Sequence, residues 1–149
     1  LLKTLKVIIS LSFACHGLYA IGLIYPIPEN FVTMTINILP INDTAAKYFL
    51  FVMGILDFLI AISIFIPKIS KICLIYAFMW GIVTALARII SGFNYGISFD
   101  ILHQYFYLTV YRIPHGIIPL LAFLIIKEQK KKLHNYSFSF TIVNIFYVF

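Results

Sequence analysis

Four stretches of this chain, about residues 5–25, 45–66, 72–91 and 104–126, are apolar for roughly the twenty residues that a helix rising ~1.5 Å per residue needs to cross a bilayer. In lipid each such segment must satisfy its own backbone hydrogen bonds, so the fold has few alternatives. The expected class is all-α, an integral membrane four-helix bundle with a kinked fourth helix. Composition agrees, because 11% of the 149 residues are charged where a soluble domain has about a quarter. Residues 1–126 then form one transmembrane domain, and 127–149 form a basic cluster followed by an apolar tail that could lie in the interface or dock on a partner.

If the segments alternate in direction, Lys3, Lys6, Lys68, Lys71, Lys127, Lys130, Lys131 and Lys132 share one side, and only Lys47 flanks a segment on the other. The positive-inside rule assigns the lysine-rich side, with both termini, to the cytoplasm. The net charge of +6 is therefore a topology signal. It does not point to nucleic acid, since the lysines sit at segment ends and not in a stripe interleaved with aromatics. The first segment has no small-residue cleavage signature and is expected to be a retained helix.

Pro26 and Pro28 are expected to stop the first helix, Asn42-Asp43-Thr44 to cap the second, Pro67 to end it, Gly92 to close the third and Asp100 to cap the fourth. Tyr105, Phe106, Tyr107 and Tyr111 stand where an outer aromatic belt belongs. In the long first outer loop, Ile27, Phe31, Met34 and Ile38 are spaced for one face of a short surface helix. That helix reads either as a lid over the outer mouth or as a shield for the helix ends.

Each apolar segment also carries an ionisable residue at membrane depth: His16, Asp57, Arg88, and Arg112 with His115. A charge at mid-bilayer costs at least ~2.5–3.5 kcal/mol, so such residues face the bundle and mark a candidate site. Counting helical rise from the outer boundary places His16, Asp57 and His115 at roughly 14–18 Å and the two arginines at roughly 5–12 Å. The expected arrangement is a His-Asp-His plane with an arginine pair above it. Facing agrees, since Ala77, Gly81, Thr84, Ala85, Arg88 and Gly92 recur at helical spacing in a small and polar stripe. Ser12, His16, Tyr19 and Ala20, then Gly54, Asp57 and Ala61, and finally Leu108, Arg112, His115, Gly116 and Pro119, form the matching faces.

The stretch from Arg112 to Pro119 holds two prolines, which free the carbonyls of Val110 and His115. Such a backbone either lines a wet cavity or is an ordinary kink. His16-Gly17 and His115-Gly116 echo each other without amounting to a repeat.

One carboxylate cannot compensate two guanidiniums, so a small polar or anionic ligand would complete the balance. The alternative is structural: Asp57 pairs with an arginine, the histidines bond nearby backbone, and the network fixes helix register. Other chemistries are less well supported. Cys15 and Cys73 lie too far apart along the bundle for a disulfide, and no zinc spacing or phosphate-binding glycine loop occurs. Ser12, His16 and Asp57 lack an oxyanion hole. Haem held between His16 and His115, with the arginines on its propionates, is admissible at equal depth.

The run Phe13-Ala14-Cys15-His16-Gly17-Leu18-Tyr19-Ala20-Ile21-Gly22 resembles the opening helix of DoxX-like proteins, small four-helix bacterial membrane proteins. Gly54-Ile55-Leu56-Asp57 and the segment from Trp80-Gly81 to Ala87-Arg88 are also similar to patterns in that group. The resemblance covers roughly 5–126, implies a cytoplasmic-membrane bundle sometimes associated with quinone-linked redox systems, and marks Gly17 as a packing position. Together these readings lead to the expectation of a non-catalytic or accessory component, binding a quinone headgroup or similar molecule at His16, Asp57, Arg88, Arg112 and His115. The competing expectations are an assembly subunit of a larger membrane complex or homo-oligomer, and a b-type haem protein.

Overall fold

The structure, a computed structural model, describes the backbone of residues 1–93 and 99–146, and the side chains of these except 101 and 133–146. Six helices follow one another: α1 (Leu2–Ile21), α2 (Glu29–Ile38), α3 (Asp43–Ser63), α4 (Ser70–Phe93), α5 (Phe99–Arg112) and α6 (Pro114–Phe146). Four spans are long and apolar enough to cross a membrane: α1, α3, α4, and the combined α5–α6 stretch Leu102–Lys132. Large apolar residues such as Leu11, Leu59, Ile72 and Met79 are exposed on the outside of the bundle, the condition expected of a lipid-facing surface.

The ends of these helices correct several expectations. α1 stops at Gly22, whose left-handed φ of 70° only glycine adopts freely, and so ends before Pro26. Asn42 does cap α3, its side chain accepting from Ala45 N–H. Gly92 does not close α4, which runs on to Phe93; a Cβ there would come within 2.5 Å of the Tyr105 ring, so this glycine admits α5. Asp100 lies in the first turn of α5. The fourth span is two helices meeting at Ile113, and the carbonyl of Val110 that Pro114 frees accepts from Ile113 N–H at 3.3 Å. The backbone of α6 continues as one helix to Phe146, while the tail side chains beyond Lys132 lie outside the described residues.

Close glycine crossings set the helix arrangement. Gly17 lies against Gly54, and nearer the start of α1 Ser10 Oγ donates to the carbonyl of Ala61 (2.8 Å) nearer the end of α3, so these helices run antiparallel. Gly81 of α4 lies against His115 and Gly116 of α6, while Gly92 meets Tyr105 of α5, giving a second antiparallel pair. The two pairs join where α1 contacts α6.

A core of Ile9, Phe13, Ala61, Ile64, Cys73, Leu74, Ala77 and Ala122 fills the end of the bundle near the Pro67 turn. A smaller cluster of Val32, Ala46 and Leu50 lies under α2 at the opposite end. The ionisable residues occupy the layer between these two dry regions.

Candidate functional site

His16, Asp57, Arg88, Arg112 and His115 all line one chamber of about 80 Å³. Each arrives from a different part of the fold: the last third of α1, of α3 and of α4, the final residue of α5 and the first turn of α6. The break at Ile113 lets Arg112 and His115 serve the same chamber from two helices.

Arg112 is the centre of the arrangement. Its Nη1 contacts Nε2 of His16, and it meets Nε2 of His115 at 3.2 Å. The two imidazole rings lie 5.2 Å apart, tilted by 36°. A guanidinium only donates, so both Nε2 atoms accept, and the single nitrogen has one hydrogen for each ring. Arg112 therefore joins the histidine layer and does not stand above it with Arg88. Haem does not fit this geometry, because bis-histidine ligation needs a porphyrin between the rings and one guanidinium nitrogen bridges them instead.

Asp57 is 6% exposed, with the Trp80 side chain as its hydrogen-bonding neighbour. It makes no ion pair with either arginine: among the described residues the only one is Lys47–Asp43, on the surface. Both histidine Nε2 atoms meet the Arg112 side chain, and His115 also has the Arg112 backbone as a hydrogen-bonding neighbour. Three buried polar atoms of the chamber residues, Arg88 Nε, Arg112 Nε and Asp57 Oδ1, have no hydrogen-bond partner among the described residues. Two of these are donors and one is an acceptor. Chemically, such a chamber suits a guest rich in hydrogen-bond acceptors.

The roof comes from α2, which forms as a short helix but without Ile27. Its most buried positions are not the expected Phe31, Met34 and Ile38 but Val32 and Thr35, with Val32 packed on Ala46 and Leu50 of α3. Phe31 and Met34 lie beside them and line the chamber. Both, with Arg88, also line a vestibule of about 420 Å³ that is walled by Glu29, Asn30, Thr33, Ser91 and Gln104. Arg88 thus stands at the boundary between the two spaces. Asn37 Nδ2 donates to Ser91 Oγ (3.1 Å), tying α2 to α4.

The helix faces fall largely as their spacing predicts, with one correction: Tyr19 is exposed and stacks on Tyr25 instead of turning inward. Of the aromatic belt, Phe106, Tyr107 and Tyr111 are exposed, whereas Tyr105 turns in against Gly92. Sequence reasoning did not assign Trp80, Thr84 or Met53 to the site, although all three line the chamber. Trp80 left a signal: it is the only tryptophan and sits mid-helix, away from the interfaces where tryptophan concentrates. Among the described residues no cluster of His, Cys, Asp or Glu is suited to a metal ion. Comparisons with protein-family models, curated proteins and solved structures return no match for this chain.

Proposed function

We propose that this integral membrane protein binds one small acceptor-rich molecule, an anion or a quinone headgroup, in the chamber between Arg88, Arg112 and the His16–His115 pair. The single observation that carries the reading is the imbalance there: two guanidiniums line a chamber whose only lining carboxylate pairs with neither, and the Nε donors of both have no partner among the described residues. In this role Arg88 and Arg112 hold the oxygens of the guest. Asp57 and the imidazoles accept or supply protons as its charge changes. The protein acts as an accessory component of a quinone-linked redox system and not as an enzyme on its own, a placement that rests on the DoxX-like resemblance over 5–126. We place it in a bacterial cytoplasmic membrane with the lysine-rich end and both termini in the cytoplasm, so that α2 and the vestibule face outward.

The test uses purified full-length protein in detergent, with acetate and duroquinone as probes. At least one probe is expected to raise the Tm of the wild type, since a ligand that binds only the folded state stabilises it by mass action. Arg88→Ala should abolish that rise while leaving the unliganded Tm nearly unchanged, because Arg88 makes no ion pair with a described residue. A variant that fails to insert or assemble would instead show that the ionisable layer serves helix packing.

A further inference from the structure

The chamber touches a second hollow on the side away from the vestibule, and the two hollows differ in chemistry. In the seam between α1 and α6 lies a groove of about 140 Å³, walled by Ile8, Ile9, Ser12, Ile118 and the two prolines Pro114 and Pro119. Phe13 and His115 line both the groove and the chamber, so the two spaces share a wall. Ile8 is 47% exposed on the bundle's outer surface, which places the groove's flank against lipid in a spanning helix. The groove follows from the sequence: two proline rings and a serine meet where longer side chains would interdigitate. The side chains that wall this crevice are mostly apolar and reach no partner across it, so its surface suits an apolar occupant that supplies the dispersion contacts.

Direction adds to the argument. From the level of His16 the groove descends along α1 to Ile8, roughly 12 Å at ~1.5 Å per residue, away from α2 and toward the Pro67 end of the bundle. A molecule with its polar end at Arg88 and Arg112 and its chain in the groove would lie as an amphiphile lies in one leaflet. We infer that the chamber's guest is a single-chain amphiphile, with a compact acceptor-rich head between Arg88 and Arg112 and a hydrocarbon chain that passes Phe13 and His115 into the α1–α6 groove. The inference rests on the chamber being a binding site, and adds the lipid-soluble class of the guest and its route of access. A water-soluble guest needs only the vestibule. The groove is explained by a chain.

Trp80, the only tryptophan, lines the chamber and supplies the signal. Full-length protein in detergent is titrated with a chain-brominated dodecanoate, whose bromine quenches indole fluorescence. Unlabelled dodecanoate, a decyl-substituted benzoquinone, acetate and duroquinone serve as competitors. Saturable quenching is expected, lost in Arg88→Ala, with a chain-bearing probe competing about tenfold or more better than its head-only counterpart. Whether the carboxylate or the dione competes better identifies the head. Ser12→Phe fills the groove and should weaken the chain-bearing probes at least about fivefold while leaving the head-only probes unchanged. Ile8→Phe, on the exposed flank, is the second variant should Ser12→Phe fail to fold. Equal competition by chain-bearing and head-only probes, or groove variants that leave chain-bearing probes unaffected, would overturn the amphiphile while sparing the site. Quenching that persists undiminished in Arg88→Ala would reflect bulk partition and overturn the site itself.

Discussion

Two helix crossings in this bundle are made of the same parts and serve opposite sides of the chamber. In one, Gly17 of α1 lies against Gly54 of α3; in the other, Gly116 of α6 lies against Gly81 of α4. The residue before Gly17 is His16 and the residue before Gly116 is His115, and these two rings meet across the chamber. What differs is the residue one turn beyond the facing glycine, Asp57 on α3 and Thr84 on α4. The α4 side also brings Arg88, and the broken fourth span brings Arg112. Packing is matched between the two crossings and charge is not. Small residues that let backbones approach therefore leave the neighbouring positions on the same helices free to carry recognition.

The comparison breaks most severely at Gly81. A Cβ there would lie 2.7 Å from three backbone atoms, Gly116 N and both carbonyl atoms of His115, none of which can rotate away. Gly81→Ala should therefore separate α4 from α6 and cost about 1–3 kcal/mol or more. Gly17→Ala meets only one backbone atom closer than 3.0 Å, the Gly54 carbonyl oxygen at 2.7 Å, with the movable ring of Phe58 at 3.0 Å and its backbone N at 3.4 Å, so its loss should be smaller. Gly116→Ala meets chiefly the Ile82 side chain at 2.8 Å and should be mildest. Thermal unfolding in one detergent should rank the variants in that order. A larger loss from Gly116→Ala than from Gly81→Ala would show that the two faces of this crossing are not as described.

The convergence of the five ionisable residues was legible in the sequence because lipid leaves a charged side chain little choice but to face the bundle. α2 was legible as a short helix but not in which of its residues are buried, and where one fourth helix was expected there are two, α5 and α6, on either side of Ile113 just before Pro114. Partnership was not legible. One acid among two arginines suggests an ion pair, yet Arg112 reaches the two histidines instead, because their rings converge from α1 and α6 on the final residue of α5. Gly92 and Tyr19 were misread for a related reason: spacing places a residue on a face, but the neighbouring helix decides whether that face is covered. Gly22 was passed over as the end of α1 because the prolines that follow are louder signals, although a left-handed glycine suffices.

The next effect in size separates the two arginines. Arg112→Ala removes the donor shared by His16 and His115 and leaves two imidazole nitrogens without their partner, a loss of about 1–3 kcal/mol. Arg88→Ala removes a guanidinium that pairs with no described carboxylate, and should change stability by no more than about 0.5 kcal/mol. Unfolding of both variants in SDS measures the difference. Equal losses would mean that Arg88 also holds the bundle together, and the distinction between an arginine that both packs and binds and one that only binds would fail.

The smallest effect tests whether side-chain hydrogen bonds reinforce the two antiparallel pairs equally. Ser10 Oγ donates to Ala61 O at 2.8 Å between α1 and α3, and Thr109 Oγ lies 3.0 Å from Ala85 O between α5 and α4. Thr109 has one hydroxyl hydrogen but also lies 2.9 Å from Tyr105 O in its own helix, so its bond across helices is shared. Such bonds in membrane proteins average about 0.6 kcal/mol. Ser10→Ala should lose about that amount, and Thr109→Val, which keeps the shape and drops the hydroxyl, should lose less. If Thr109→Val proved the more costly, the α4–α5 contact would depend on its hydroxyl as well as on Gly92, and the broken fourth span would be held in place by polar bonding beyond glycine packing.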